Sequence, residues 1–322
     1  MKIIVIGGGP AALESAIAAR KNAPDAQIEI FSAENSLPYR RPALSGLLAA
    51  GKEIDGKTFF IKPAEFFNEQ RIGFHPGCRA VKIEGSTLIF ENGEKVGFDR
   101  LIIASGSNAV RLPIPGAEGE NVFTLRSLED VRRLTEKLDA GVKNAVIIGG
   151  GVLGLEIADS LLTRKIKTTV LEAAPGLFCN NLSKEDSAAL LTRLNSVDLL
   201  DVRCGQQVNR ISENGVELGT SESIPADLVV LAAGSRPDLT LPRSAGIACG
   251  RGIVVDGNMR SSRNDVFAAG DAAEFNGRCF NLYMDAVASG KIAGSNAAGA
   301  EAEFTAKPSP IRLFALGEKL VM

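Results

Sequence analysis

The amino-acid sequence predicts an α/β protein with two Rossmann-like dinucleotide-binding domains. Two observations carry this prediction. A glycine-rich turn follows a short apolar run twice, and the order of strands and helices after each turn is similar. A single glycine-rich turn is weak evidence for a dinucleotide site. A pair of them predicts that one chain holds two dinucleotides, and therefore that electrons pass between two cofactors.

The first turn follows the apolar run Lys2–Ile6. In such a turn, one glycine allows the sharp bend and a second lets backbone N–H groups approach a pyrophosphate. A small third residue lets helix and strand pack closely. The N-terminus of the following helix favours phosphate. The residues predicted to contact this dinucleotide are Gly7, Gly9, Pro10, Ala11 and Ala12.

The second turn, with Gly149, Gly151 and Gly154, follows the run 145–148. An acidic residue is expected at the end of the next strand, where it bonds a ribose hydroxyl. Glu172 ends that strand. No Arg or Lys lies between Ala173 and Phe178, where a 2′-phosphate would need one. This pattern favours NADH over NADPH.

The first copy departs from the pattern after its second strand, Gln27–Phe31. Ser32 stands where the acidic residue is expected, and Glu34 follows two residues later. Either Glu34 reaches the ribose or Ser32 makes a weaker bond. We favour Glu34; the alternative is that it is a solvated loop carboxylate.

Composition excludes several classes of protein. The chain has 322 residues, enough for about two domains. Its net charge of −2, without a basic run, argues against a nucleic-acid partner. No apolar stretch is long enough for a membrane span. The N-terminus superficially resembles a signal peptide, but cleavage there would destroy the first turn, so we expect a cytoplasmic protein.

The chain has five scattered cysteines and one histidine, His75. The odd number of cysteines and their spacing argue against a disulfide scaffold and a cysteine-only metal site. With a single histidine, hydrolytic triads and histidine-based metal sites have almost nothing to build on. We therefore expect no metal site.

Residues 1–109 and 144–235 share one plan of strand, helix, strand, helix, meander and apolar strand. Those final strands end in Ala104-Ser105-Gly106 and Ala233-Gly234. A further strand ends in Gly270-Asp271, a helix is predicted over 284–300, and residues 304–322 read as one or two strands. The plan indicates an internal repeat of nucleotide-binding units.

Together these motifs resemble the FAD- and NAD-dependent pyridine nucleotide–disulfide oxidoreductase superfamily over residues 1 to about 300. The segment Leu37–Ser45 is most similar to the branch of rubredoxin reductases, ferredoxin reductases and nitrite reductase flavoproteins. The resemblance implies two three-layer β/β/α domains. The FAD domain, 1–109 and 236–303, is split by an inserted NAD domain, 110–235, and residues 304–322 are the remnant of a C-terminal domain.

The resemblance also implies further contacts to FAD. Asp271 corresponds to the family residue that bonds the ribityl chain, and Arg41 to a basic residue that touches FAD. The full set of these positions is Arg41, Pro42, Ala80, Ala104, Ser105, Gly106, Gly234, Gly270 and Asp271.

Departures from the family pattern exclude some of the reactions that family members catalyse. The chain has no C-x-x-x-x-C, no C-x-x-C, and no single cysteine near Ala43. A thiolate is the nucleophile in the branches of the family that carry such cysteines. We therefore exclude disulfide and peroxide reduction through a redox cysteine.

Gly46 stands where relatives often carry a lysine that pairs with a glutamate, here Glu156. We expect Glu156 to act at the nicotinamide carboxamide or to have a pKa shifted by burial. The alternative is a solvent-facing helix residue.

These features predict an NADH-dependent FAD flavoprotein reductase that passes electrons to a small carrier such as rubredoxin or ferredoxin. The alternatives are an NADH oxidase or diaphorase, and a flavoprotein subunit of a larger complex. Arg40, Arg41 and Lys52 form either a basic rim for an acidic carrier or a solvated face. The oligomeric state stays open.

Overall fold

The computed structural model describes residues 1–305 and 309–322, and the chain forms two compact units. The first unit comprises Met1–Arg41, Asp55–Asn108 and Ser235–Ser309; the second comprises Pro42–Ile54, Ala109–Gly234 and Pro310–Met322. The 3-10 turn Arg41–Ala43 and the short strands Asn108–Ala109 and Ser235–Arg236 lie where the chain passes from one unit to the other. The predicted FAD and NAD domains, with their boundaries, stay predictions.

A five-stranded parallel sheet forms the centre of the first unit. Its strands, in spatial order, are Val266–Ala268, Arg100–Ile103, Lys2–Ile6, Gln27–Phe31 and Ile72–His75. Helices Pro10–Asn22 and Tyr283–Ala297 pack on this sheet and on each other. The helices approach closely, since a Cβ on Gly294 would lie 2.0 Å from the carbonyl oxygen of Ser15.

An antiparallel meander also packs against this sheet. Its strands are Ala80–Glu84, Thr87–Phe90 and Lys95–Gly97, and the ring of Phe90 lies 4.5 Å from that of Phe31. The remaining elements of the unit are helices Gly56–Phe59, Ala64–Glu69 and Thr240–Ser244, the 3-10 turn Gly270–Ala272, and strands Ile253–Val255, Ala273–Phe275 and Arg278–Cys279.

The second unit repeats this plan. Its parallel sheet has the order Leu200–Cys204, Lys167–Glu172, Asn144–Ile148, Leu228–Leu231 and Val122–Thr124. Helices Leu128–Asp139, Val152–Thr163 and Lys184–Leu194 cover it, and the meander Val208–Ser212, Gly215–Leu218 and Ser223–Pro225 packs against it. A 3-10 turn, Ser45–Leu48, packs on the helix Val152–Thr163.

Alternation along the strand Asn144–Ile148 explains the layers of the second unit. Val146 and Ile148 pack with the meander, whereas Ile147 faces Gly154 of the covering helix. Successive side chains of a strand point to opposite faces, so a strand covered on both faces reads as a continuous apolar run. The structure therefore confirms the predicted α/β class with two Rossmann-like units.

A C-terminal hairpin, Arg312–Ala315 with Glu318–Val321, belongs to the second unit. The backbone N–H of Leu316 donates to Asp159 Oδ1 at 3.1 Å, and Arg193 pairs with Glu318 at 2.8 Å. Residues 306–308 of the predicted segment 304–322 lie outside the described residues. That this segment is the remnant of a further domain stays a prediction.

Candidate dinucleotide-binding sites

The first glycine-rich turn has the geometry that its spacing predicts. Gly7 has φ +131°, and a Cβ there would lie 2.1 Å from the carbonyl oxygen of Ala104. Only glycine fits such a close approach of two strand ends. Gly9 caps the helix that begins at Pro10, and a Cβ on Gly9 would meet no atom within 4 Å. Open space therefore lies in front of the helix N-terminus.

The second turn repeats this arrangement within the second unit. Gly149 has φ +120°, and a Cβ there would lie 2.5 Å from the carbonyl oxygen of Ala232. A Cβ on Gly154 would lie 2.0 Å from the oxygen of Gly149, whereas one on Gly151 would meet nothing within 4 Å. Both turns thus fit a pyrophosphate at a helix N-terminus.

Glu172 is held beside the second turn by backbone groups. Its Oε2 accepts the N–H of Gly150 at 2.8 Å, and its Oε1 accepts the N–H of Ala174 at 2.8 Å. Each carboxylate oxygen has a further lone pair, so the side chain stays able to accept from ribose hydroxyls. The structure brings Glu172 and the Gly149 turn together, as the sequence predicts.

Glu34 has different surroundings in the first unit. The hydroxyl of Tyr39 donates to its Oε2 at 2.6 Å, and Nη2 of Arg41 donates to its Oε1 at 2.7 Å. Nη1 of Arg41 also donates to the Tyr39 hydroxyl at 3.1 Å. Burial opposes the charge of Arg41, but Tyr39 and Glu34 together hold its pKa above the usual value. Tyr39 was not among the predicted site residues.

Ser32 lies closer to the first turn than its sequence position suggested. It is buried, its Oγ accepts the N–H of Glu34 at 3.2 Å, and a Cβ on Gly8 would lie 2.2 Å from that Oγ. The choice between Glu34 and Ser32 as the ribose ligand stays open.

Asp271 lies in a polar cluster that the sequence only partly indicated. Its Oδ2 accepts from Ser107 Oγ at 2.9 Å, and Ser107 Oγ lies 3.0 Å from Ser235 Oγ. Gly270, beside it, would bring a Cβ within 2.8 Å of the Ala11 side chain. Asp271 and the first turn are therefore neighbours, and Ser107 is a contact of Asp271 that we did not predict.

The other predicted FAD contacts are spread over both units. In the first unit Ala12 and Ala104 are buried, Gly106 and Ala80 are half-buried and Ser105 is exposed. Pro42 and Gly234 belong to the second unit and are exposed. The roles of all these residues at FAD stay predictions.

Glu156 is partly buried on the helix Val152–Thr163. Ser45 Oγ donates to its Oε2 at 2.9 Å. Burial raises the pKa of Glu156, nearby Asp159 adds to that effect, and the Ser45 hydrogen bond opposes it. Glu156 therefore has a neutral hydroxyl as partner. Ser45 was not among the predicted site residues, although it precedes Gly46, which occupies the position of the family's lysine.

Three cysteines have environments that disfavour a thiolate. Burial raises the pKa of Cys204, Cys249 and Cys279. All five cysteines are free. Within residues 1–305 and 309–322, no cluster of three or more His, Cys, Asp and Glu side chains is arranged to hold a metal ion. Across the same residues, every helix is too short or too polar to cross a bilayer.

Each unit has one glycine-rich turn that fits a dinucleotide pyrophosphate, and both units share one plan. This arrangement is typical of α/β oxidoreductases that bind two dinucleotides. The family model for pyridine nucleotide-disulphide oxidoreductases matches residues 1–307. The chain belongs to this family, as its motifs predicted.

Comparisons with known proteins agree. The chain is 29% identical to a rubredoxin-NAD(+) reductase of Pseudomonas putida, covering 98% of this chain and 83% of that protein. It is 32% identical to an NADH-rubredoxin oxidoreductase of Clostridium acetobutylicum, covering 96% and 78%. A ferredoxin reductase of Rhodopseudomonas palustris superposes with a TM-score of 0.91 at 26% identity, covering 99% and 81%.

Proposed function

We propose that the protein is an NADH-dependent FAD flavoprotein reductase that delivers electrons to a small redox protein such as rubredoxin or ferredoxin. The observation that carries this proposal is the pair of open glycine turns, one in each unit, with Glu172 fixed beside the second. Relatives that reduce rubredoxin, similar over nearly the whole chain, support the choice of carrier. A cytoplasmic location stays a prediction.

The first unit would hold FAD and the second NADH. The turn Gly7–Ala12 would bind the FAD pyrophosphate, with Arg41 as a cation and Asp271 as an acceptor for the ribityl hydroxyls. The turn at Gly149 would bind the NADH pyrophosphate, with Glu172 on the adenosine ribose. FAD, when bound, supplies the conversion of a two-electron hydride into single electrons.

The side chains of this chain bind and orient; none acts as a nucleophile. Asp271 would be positioned by Ser107, since their oxygens lie 2.9 Å apart. Glu156, whose pKa burial raises, would hold a proton on its carboxyl at higher pH than an exposed glutamate. In that form it can donate to the nicotinamide carboxamide oxygen while it still accepts from Ser45.

Anaerobic titration of the FAD-loaded protein with NADH tests the first half of this proposal. We expect one equivalent of NADH to bleach the flavin absorbance, and a spectrum unchanged by NADH would contradict the enzyme assignment.

Stopped-flow reoxidation then tests the acceptor. We expect reduced protein to reoxidise faster with rubredoxin than with dissolved oxygen, whereas faster reaction with oxygen would indicate an NADH oxidase.

A further inference from the structure

Four arginines line one groove on the first unit. The groove encloses about 1030 Å³, and Arg236, Arg243, Arg251 and Arg278 lie on its wall. The chain as a whole has 36 basic and 38 acidic residues, so this concentration of positive charge is local. Among the residues that line the groove, Asp238 is the one carboxylate.

The protein balances only part of the positive charge of the groove. In the described part of the chain, none of the four arginines forms an ion pair. Arg243 Nη2 donates to the Gly250 carbonyl at 3.3 Å, and Arg251 Nη2 donates to the Gly277 carbonyl. Asp238 Oδ1 accepts the N–H of Thr240 at 2.9 Å, and this bond lowers its pKa. Glu274 is a second carboxylate beside the groove, since its Oε2 accepts the N–H of Gly252 at 2.9 Å and it pairs in register with the lining residue Cys279. Two carboxylates near four guanidinium groups still leave a net positive surface.

The groove borders on the segment that carries Asp271. The strand Arg278–Cys279 contacts the turn Gly270–Ala272 and pairs with the strand Ala273–Phe275 that follows it. A partner seated among the arginines would therefore lie next to the segment proposed to hold the flavin.

We propose that this four-arginine groove is the docking surface for the acidic redox protein that accepts the electrons. The inference rests on the proposed function and names the surface for its partner. Guanidinium groups bind carboxylates in paired hydrogen bonds, and a surface with net positive charge attracts an acidic partner over long distances. Complementary charge mainly increases the rate of encounter and sets orientation.

Three observations favour this partner and this surface. All four arginines are exposed. The lining residues include no aromatic ring on which a nucleotide base could stack. In the basic rim considered from the sequence, by contrast, Arg41 already forms an ion pair with Glu34 at 2.7 Å.

Direct binding tests the proposal with FAD-loaded protein and an oxidised, acidic rubredoxin as probe. The double variant Arg236→Glu with Arg278→Glu reverses two groove charges. A matched control, Lys184→Glu with Lys319→Glu, makes the same change in net charge at exposed positions of the second unit. We expect the Kd for rubredoxin to rise at least about tenfold in the groove variant and to change little in the control. The difference should shrink as ionic strength rises.

Equal affinity of wild type and groove variant, or no binding of rubredoxin by the wild type, would overturn the proposal. Turnover with NADH and the neutral acceptor menadione is measured separately. Absence of turnover in the wild type would contradict the proposed function. The binding comparison would still test whether the groove binds rubredoxin.

Discussion

At the scale of single residues, two glutamates with the same predicted role have different surroundings. Glu172 is held by two backbone N–H groups beside its own turn, at 2.8 Å each. Glu34 is held by Tyr39 and Arg41, side chains that follow it in a proline-rich loop. Sequence spacing predicted the position of Glu172, whereas Glu34 lies two residues after the position that the motif predicts. It did not predict that loop side chains take both oxygens of Glu34.

Replacing Glu172 by Ala should weaken NADH binding. The variant loses the proposed acceptor for the ribose hydroxyls, and we expect the KM for NADH to rise about tenfold, which corresponds to about 1.4 kcal/mol. Steady-state kinetics with NADH and NADPH measure this change. Because the carboxylate would no longer repel a 2′-phosphate, the KM for NADPH should rise less or fall. An equal rise for both coenzymes would count against the ribose contact.

Replacing Glu156 by Gln should change the pH dependence of stability. A group whose pKa is raised on folding contributes stability below its unfolded pKa, and this contribution is lost as pH rises through the folded pKa. Because burial raises the pKa of Glu156, the wild type should lose stability from this group as pH rises. Glutamine stays neutral, so the Tm of the variant relative to wild type should increase between about pH 4 and about pH 8.

Thermal melts of Glu156→Gln at both pH values check this prediction. Glu53→Gln, which removes one carboxylate at an exposed position, is the matched control. A Tm difference for Glu156→Gln that does not depend on pH would show that the ionised form carries no penalty in the folded protein.

At the scale of elements, different glycines of the second strand–turn–helix unit serve the fold and the binding of a ligand. A Cβ at Gly149 would lie 2.5 Å from the backbone of the neighbouring strand, whereas one at Gly151 would enter open space. The first position is therefore needed for the turn itself. The second is needed only if another molecule fills that space.

Gly149→Ala should therefore lower stability, whereas Gly151→Ala should weaken NADH binding. We expect Gly149→Ala to lower stability by about 1–3 kcal/mol, because the added methyl overpacks the strand end. Gly151→Ala should keep the wild-type urea midpoint but bind NADH at least about tenfold more weakly, because backbone N–H groups can no longer approach the pyrophosphate. Wild-type NADH affinity in a folded Gly151→Ala variant would contradict the proposed site.

One element boundary shows a local stop signal that helical periodicity missed. The helix predicted over 284–300 is observed as Tyr283–Ala297. It ends in a Schellman motif, because Gly299 has φ +94° and the N–H of Ala300 donates to the carbonyl of Ser295 at 3.0 Å. Asn296 then exchanges side-chain hydrogen bonds with the backbone of Ala302, at 2.7 Å each. The helix Lys184–Leu194 begins at a local cap, since the side chain of Ser183 accepts the N–H of Asp186.

At the scale of the whole molecule, the proposed reaction needs no thiol. The five cysteines are free and scattered, and burial disfavours the thiolate at three of them. A variant with all five replaced by Ser should therefore keep NADH-dependent carrier reduction within about twofold of wild type, since no nucleophile is removed. Rates at saturating NADH and carrier measure this. A loss much greater than the loss of FAD content would show that a cysteine takes part.

The sequence by itself determined the family, the two glycine turns and the position of Glu172, because these depend on short-range spacing along one strand, turn and helix. Only the tertiary structure decided which groups those residues meet. Ser45 reaches Glu156, Ser107 reaches Asp271, and the four groove arginines converge from separate segments. Such contacts join residues far apart in the chain, and local patterns of polarity carry no information about them.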